Sequence, residues 1–166
     1  MKNIHKTAYV HPTAVLGDFV TIGEKCYIGP LCIIGYPPEW KGKEHNDCGV
    51  IIGAGTTITG LVTIDSGAIA PTTIGENCYL MKHAHVGHDV AIGNDVTISC
   101  GAKIGGHVVL HDGVNVGLNA CIHQKLSIPA GVMIGMNAAV TKKTELVPYT
   151  KLAGVPARII GDNNHG

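Results

Sequence analysis

Ten histidines stand in a chain of 166 residues. Four of them, His85, His88, His107 and His123, share one stretch with a carboxylate, Asp89, and an amide, Gln124. Imidazole changes charge near neutral pH, so such a group can take and return a proton or ligate a metal. Side chains this far apart in sequence act together only if the fold stacks them. Polar residues are favoured at turns in any case, as His11 and His111 illustrate, so their alignment carries more weight than their number.

The alignment comes from a repeat. An aliphatic residue recurs at every sixth position from Ile74 through Leu80, Val86, Ile92, Ile98, Ile104, Leu110, Val116, Ile122, Ile128 and Ile134 to Val140. Four residues after each stands a smaller apolar residue, from Cys78, Ala84 and Val90 to Val132 and Ala138, with Thr144 the one polar exception. The same period runs from Ile4 to Ile34 and again through Ile52, Ile58 and Ile64. A six-residue period fits neither a helix nor a long alternating strand. It fits a short strand and a corner, with Gly, Asn and Asp supplying left-handed corner residues. Three corners close an 18-residue triangular coil. The 21 hexads then make about seven coils of stacked parallel strands, ~4.8 Å apart. Val86, Ile104 and Ile122 are 18 residues apart, so His88, His107 and His123 fall at one corner on consecutive coils, with His85 just before it.

The repeat is interrupted twice. Residues 36–50, with Pro37, Pro38 and the sole tryptophan, Trp40, form a projecting loop, and a loop this long in a compact domain is usually functional. A shorter break, DSGAIAPTT, spans Asp65 to Thr73. The all-β coil is expected over 1–145, and 146–166 form a terminal cap. Pro148 and Pro156 exclude a continuous helix in that tail but leave room for a short one.

Lys plus Arg equals Asp plus Glu, 12 against 12, which argues against nucleic acid as a partner. No apolar run approaches the ~20 residues of a membrane span. Cys26, Cys32 and Cys78 fall on the small inward slot, and there is no CxxC and no secretory leader. A reduced, cytoplasmic protein is expected.

LMKHAHVGHD (80–89), IGNDVTISCGAKIGGHV (92–108) and CIHQ (121–124) resemble the hexapeptide-repeat acyltransferases, most closely those acting on UDP-N-acetylglucosamine in lipid A or surface-polysaccharide synthesis. The resemblance implies a left-handed parallel β-helix, although the usual crossover rule favours the right hand. It implies a homotrimer with the site between subunits. The donor would be a thioester, acyl-CoA (acetyl-CoA included) or acyl carrier protein, with no tightly bound cofactor or metal. The acceptor would be a hydroxyl or amine of a nucleotide sugar. By the same resemblance His88 is the general base, Asp89 orients it, and the Gly106 N–H stabilises the oxyanion. His85, His107 and Gln124 hold substrate, with His123 as their neighbour. Gly105 allows close approach, and Lys142 and Arg158 meet an anionic cofactor, the tail LAGVPARIIG (152–161) being similar to that of acetyl-CoA-dependent members. Lys82, His83 and Asp65 depart from the nucleotide-sugar pattern. Two rivals remain: a γ-class carbonic anhydrase-like zinc enzyme, suggested by the spacing of His83 and His88, and a non-catalytic scaffold.

Overall fold

The computed structural model describes residues 1–39, 41 and 46–164. Trp40 lies outside the described residues. Strands of two to five residues follow one another around three sheets, so that every third strand returns to the same sheet. Two sheets hold seven strands and one holds nine. All pairings are parallel except that of the last hairpin. The result is a triangular prism wound as a left-handed β-helix. It completes seven turns, and strand Thr150–Ala153 opens an eighth on the second sheet.

Register follows the hexads directly. On the third sheet Ile64, Val86, Ile104, Ile122 and Val140 pair in one inward column. Beside them Thr63, His85, Lys103, Cys121 and Ala139 form one outward column. The inward column is 3% exposed or less, and the small residues Ala84, Ala102 and Ala120 are as deeply buried. Cys26, Cys32 and Cys78 are buried free thiols within that core. Since aromatics are nearly absent, close packing of branched aliphatics holds the turns together. Replacing Ile98, fully buried in mid-stack, by alanine is expected to cost about 2–5 kcal/mol, read from the urea midpoint at constant slope. A loss below about 1 kcal/mol would mean that neighbouring turns do not share a close-packed core.

The corners are held by backbone. Asn77, Asp95, Asn119 and Asn137 take left-handed conformations, as their types allow. Each donates its N–H to a carbonyl one turn back, as Asn119 does to Cys100 at 3.0 Å. Side chains add a ladder, with Asn94 Oδ1 accepting from the Glu76 N–H and Asp112 Oδ1 from the Asn94 N–H.

The described tail contains no helix. After a turn it pairs Thr150–Ala153 with Arg158–Asp162 as an antiparallel hairpin. Thr150 and Leu152 point into the core and continue the second sheet, so alternation prevails over helix formation here.

Candidate active site

Both interruptions leave the prism at the corner between the third and first sheets, on successive turns. They are laced together. The Gly49 N–H donates to Ser66 Oγ at 2.7 Å, Ser66 Oγ donates to the Asp47 carboxylate, and the Cys48 N–H reaches the Gly67 carbonyl at 2.9 Å. The next turn at this corner carries His88 and Asp89, the following one Gly105, Gly106 and His107, and the one after that His123 and Gln124.

Asp89 is the anchor. It sits at φ 56 with its side chain 5% exposed. The shorter interruption points three N–H groups at it: Ile69 and Ala70 donate to Oδ1 at 2.8 Å each, and Ala68 to Oδ2 at 3.3 Å. His88 Nδ1 lies 2.7 Å from Oδ2. Burial alone would raise this carboxyl, but the Ala70 N–H, His88 and the Ile69 and Ala68 N–H groups outweigh it and lower the carboxyl to about 2. Asp89 is therefore ionised at neutral pH and well into the acid range. As an acceptor it draws the neutral imidazole's proton to Nδ1 and leaves the lone pair of His88 on Nε2.

A carboxyl lowered on folding stabilises the fold above its unfolded value and loses that contribution as pH falls through its folded one. The stability difference between the protein and Asp89→Asn should therefore shrink as pH drops from about 4 towards 2. Denaturant titrations across that range will show it. A difference independent of pH would mean that the loop N–H groups do not favour the charged form.

The His88 ring lies over Gly106, where an added Cβ would meet Nε2 at 2.8 Å and Cε1 at 3.0 Å. Among the described residues the Gly106 N–H meets no acceptor. His107, held at φ 59, packs its ring edge-to-face on His88 with centroids 4.9 Å apart, its Nδ1 3.9 Å from Asp89. A groove of about 280 Å³ runs beside this corner, lined among others by His85, His88, Gly105, Gly106, Lys103 and Asp65. A second hollow of about 480 Å³ continues it along the third sheet to Ile33, Tyr36 and Pro37 and shares His85, Asp65, Glu39 and Lys103.

Of the residues singled out from sequence, the structure brings together His85, His88, Asp89, Gly105, Gly106 and His107. His123 and Gln124 stand on the same ridge one turn further on, exposed and outside the groove lining, with His123 Nδ1 donating to the Gln124 carbonyl. Arg158 lines a separate hollow with Lys143 and Glu145 near the hairpin, and Lys142 is exposed nearby. Three charged groove residues escaped the sequence assignment: Lys103, Asp65 and Glu39. Lys103 was legible, being 18 residues after His85 in the outward column. Asp65 stands directly after the periodic Ile64, at the start of the interruption, whose role in holding Asp89 has no signal in the period.

His88, Asp89 and His107 offer ligand atoms within 4.8 Å of one another. Two imidazoles and a carboxylate are a donor set that metal ions use, but here the carboxylate is already engaged. Both Asp89 oxygens already accept two hydrogen bonds each. His83, the residue that suggested a zinc site, is exposed on the opposite side of strand His85–Val86, at a different corner.

Residues 71–106 match the bacterial transferase hexapeptide family (six repeats). The chain is 38% identical over 63 residues to an acyl-[acyl-carrier-protein]–UDP-N-acetylglucosamine O-acyltransferase from Campylobacter lari, covering 36% of this chain and 24% of the relative. It is 33% identical over 72 residues to the enzyme of that name from Paraburkholderia xenovorans, covering 42% and 27%. The chain thus spans about a quarter of the length of these curated relatives. A crystal structure of a UDP-N-acetylglucosamine acyltransferase superposes with TM-score 0.93 at 29% identity, over 99% of this chain and 64% of that one. The corresponding enzyme from Campylobacter jejuni gives 0.76 at 28%, over 97% and 75%. Among the described residues no helix is long and apolar enough to cross a membrane.

Proposed function

We propose, from the premise that this is a hexapeptide-repeat β-helix similar to UDP-N-acetylglucosamine acyltransferases, that the chain moves an acyl group from a thioester to a nucleotide sugar. The observation that carries this is the His88–Asp89 pair, 2.7 Å apart, set over the Gly106 backbone in an open groove. His88 Nε2 takes the proton of the acceptor hydroxyl or amine as that atom bonds to the thioester carbonyl carbon. The imidazolium is stabilised by Asp89. The carbonyl oxygen becomes an oxyanion facing the Gly106 N–H. Collapse breaks the carbon–sulfur bond, and the leaving thiolate takes the proton back from His88. The product is an ester or amide plus free thiol.

UDP-N-acetylglucosamine and acyl carrier protein are the substrates in the relatives' names, and they are the first acceptor and donor to test here. Acyl-CoA is the other donor, with Arg158 and Lys142 as its anion contacts. The groove lies on the outer surface of the prism, where the neighbouring subunit of a homotrimer would close it. The test is thiol release by the purified chain with acetyl-CoA, longer acyl-CoAs and acyl carrier proteins, against a panel of nucleotide sugars. Turnover with at least one pair, and product mass showing an added acyl group, is expected. Intact folding with no thiol release from any pair would leave a non-catalytic scaffold.

A further inference from the structure

We infer that the prism carries a second ligand site, for an uncharged sugar, on the second sheet opposite the reactive ridge. A hollow of about 420 Å³ lies there, where the corner between the first and second sheets meets the outward column of the second. That volume falls within the roughly 300–1,000 Å³ of small-molecule sites. Its residues take no part in the acyl transfer proposed above, so the inference does not rest on it.

The hollow comes from missing side chains. At this corner Asn77, Asp95, Gly113, Gly131 and Tyr149 occupy equivalent places on successive turns, with φ 55, 55, 68, 64 and 55. Asn77 and Asp95 show that this left-handed conformation admits a side chain, so the turn alone does not demand glycine. At Gly113 an added Cβ would meet nothing nearer than the Gly131 N at 3.9 Å. The Tyr149 ring stands against Gly131, so the ridge is notched between Asp95 and that ring.

Polar groups converge on the notch. Asp95 closes one end, and Thr97, Asn115, Met133 and Lys151 run along the floor in ~4.8 Å steps of the outward column. The tail supplies the other wall. The Asn163 N–H donates to the Tyr149 carbonyl at 2.6 Å, and its Nδ2 donates to the Gly131 carbonyl at 2.9 Å. Among the described residues the side chains of Asp95, Thr97, Asn115 and Lys151 make no hydrogen bond. A carboxylate, a hydroxyl, two amides and an ammonium thus offer acceptors and donors side by side, with one charge of each sign. Sugar hydroxyls, each both donor and acceptor, match that mixture. An anionic ligand would face Asp95 and a cationic one Lys151, so neither matches the whole set. Met133, 38% exposed, offers an apolar surface to the C–H face of a sugar ring.

The experiment titrates the full chain with glucose, galactose, mannose, N-acetylglucosamine and cellobiose, and with glucose 1-phosphate and glucosamine as charged comparators. The readout is the shift of the Asn115 and Asn163 side-chain amide signals by NMR. At least one uncharged sugar is expected to saturate these shifts with a Kd of about 10 mM or tighter, and to bind more tightly than either comparator. Gly113→Asn keeps the left-handed corner and fills the notch, so it should weaken that sugar about tenfold or more at an unchanged melting temperature. Asn115→Ala, followed on the Asn163 signal, should weaken it to a similar degree. His85→Ala should leave binding unchanged, since His85 lines the groove on the other side of the prism. Three results would each overturn the inference: no saturation by any uncharged sugar up to ~100 mM, tighter binding of a charged comparator, or binding that survives Gly113→Asn and is lost in His85→Ala. Should Gly113→Asn not fold, Asn115→Ala and the native shifts decide.

Discussion

Replacing His88 with alanine is expected to lower turnover of the productive donor–acceptor pair by about 10²–10⁴-fold while the fold stays intact. The side chain is 16% exposed at a corner and is not part of the aliphatic core. Its loss removes the Nε2 lone pair proposed to take the acceptor proton. It also leaves Asp89 with its three loop N–H partners, so the shorter interruption keeps its place. A β-rich circular dichroism spectrum with native melting, together with the thiol assay, separates the two effects. Full turnover by His88→Ala would remove the general base from the mechanism.

Gly106→Ala should be almost as damaging, at about 10²–10³-fold in kcat. The reason is space. A methyl group here would stand 2.8 Å from His88 Nε2, closer than any carbon can sit. The ring cannot swing aside freely, since Asp89 holds one edge at 2.7 Å and His107 packs against its face or edge at 4.9 Å. The methyl group would therefore push the proposed base off its line and shield the N–H proposed to meet the oxyanion. Because both substitutions act on one unit, the double variant should be little worse than His88→Ala alone. Losses that multiply would show that Gly106 acts independently of the imidazole.

Most of the prism could be read from spacing, because the inward residues of a stacked coil are bound to a fixed period and nothing else in the chain imitates it. Each hexad from Ile4 to Val140 became one strand. The tail was harder to read. Its inward pair, Thr150 and Leu152, is too short to declare a strand among two prolines and a glycine. At the site, the ridge of His88, Asp89, Gly106 and His107 followed from an 18-residue offset. The cradle around Asp89 did not, because backbone N–H groups have no residue type. Ala68, Ile69 and Ala70 serve through their main chain, and any sequence with that loop shape would do the same. Glu39 escaped for a related reason: the break that carries it interrupts the count, so no period predicts which way it faces.

Because each turn touches only the turns on either side, the prism can grow or shrink by whole 18-residue units without a mismatched strand. Duplicating a turn between Val140 and Thr150 would merely lengthen the molecule. Duplicating one between Val90 and Ile104 would re-pair every sheet equally well, yet it would carry His88 a further ~4.8 Å from Gly106 and His107. Duplication and deletion are thus tolerated by the architecture everywhere but by the reactive ridge nowhere from Thr63 to His107. In that segment the number of floors, more than the identity of any buried aliphatic, is what inheritance must preserve.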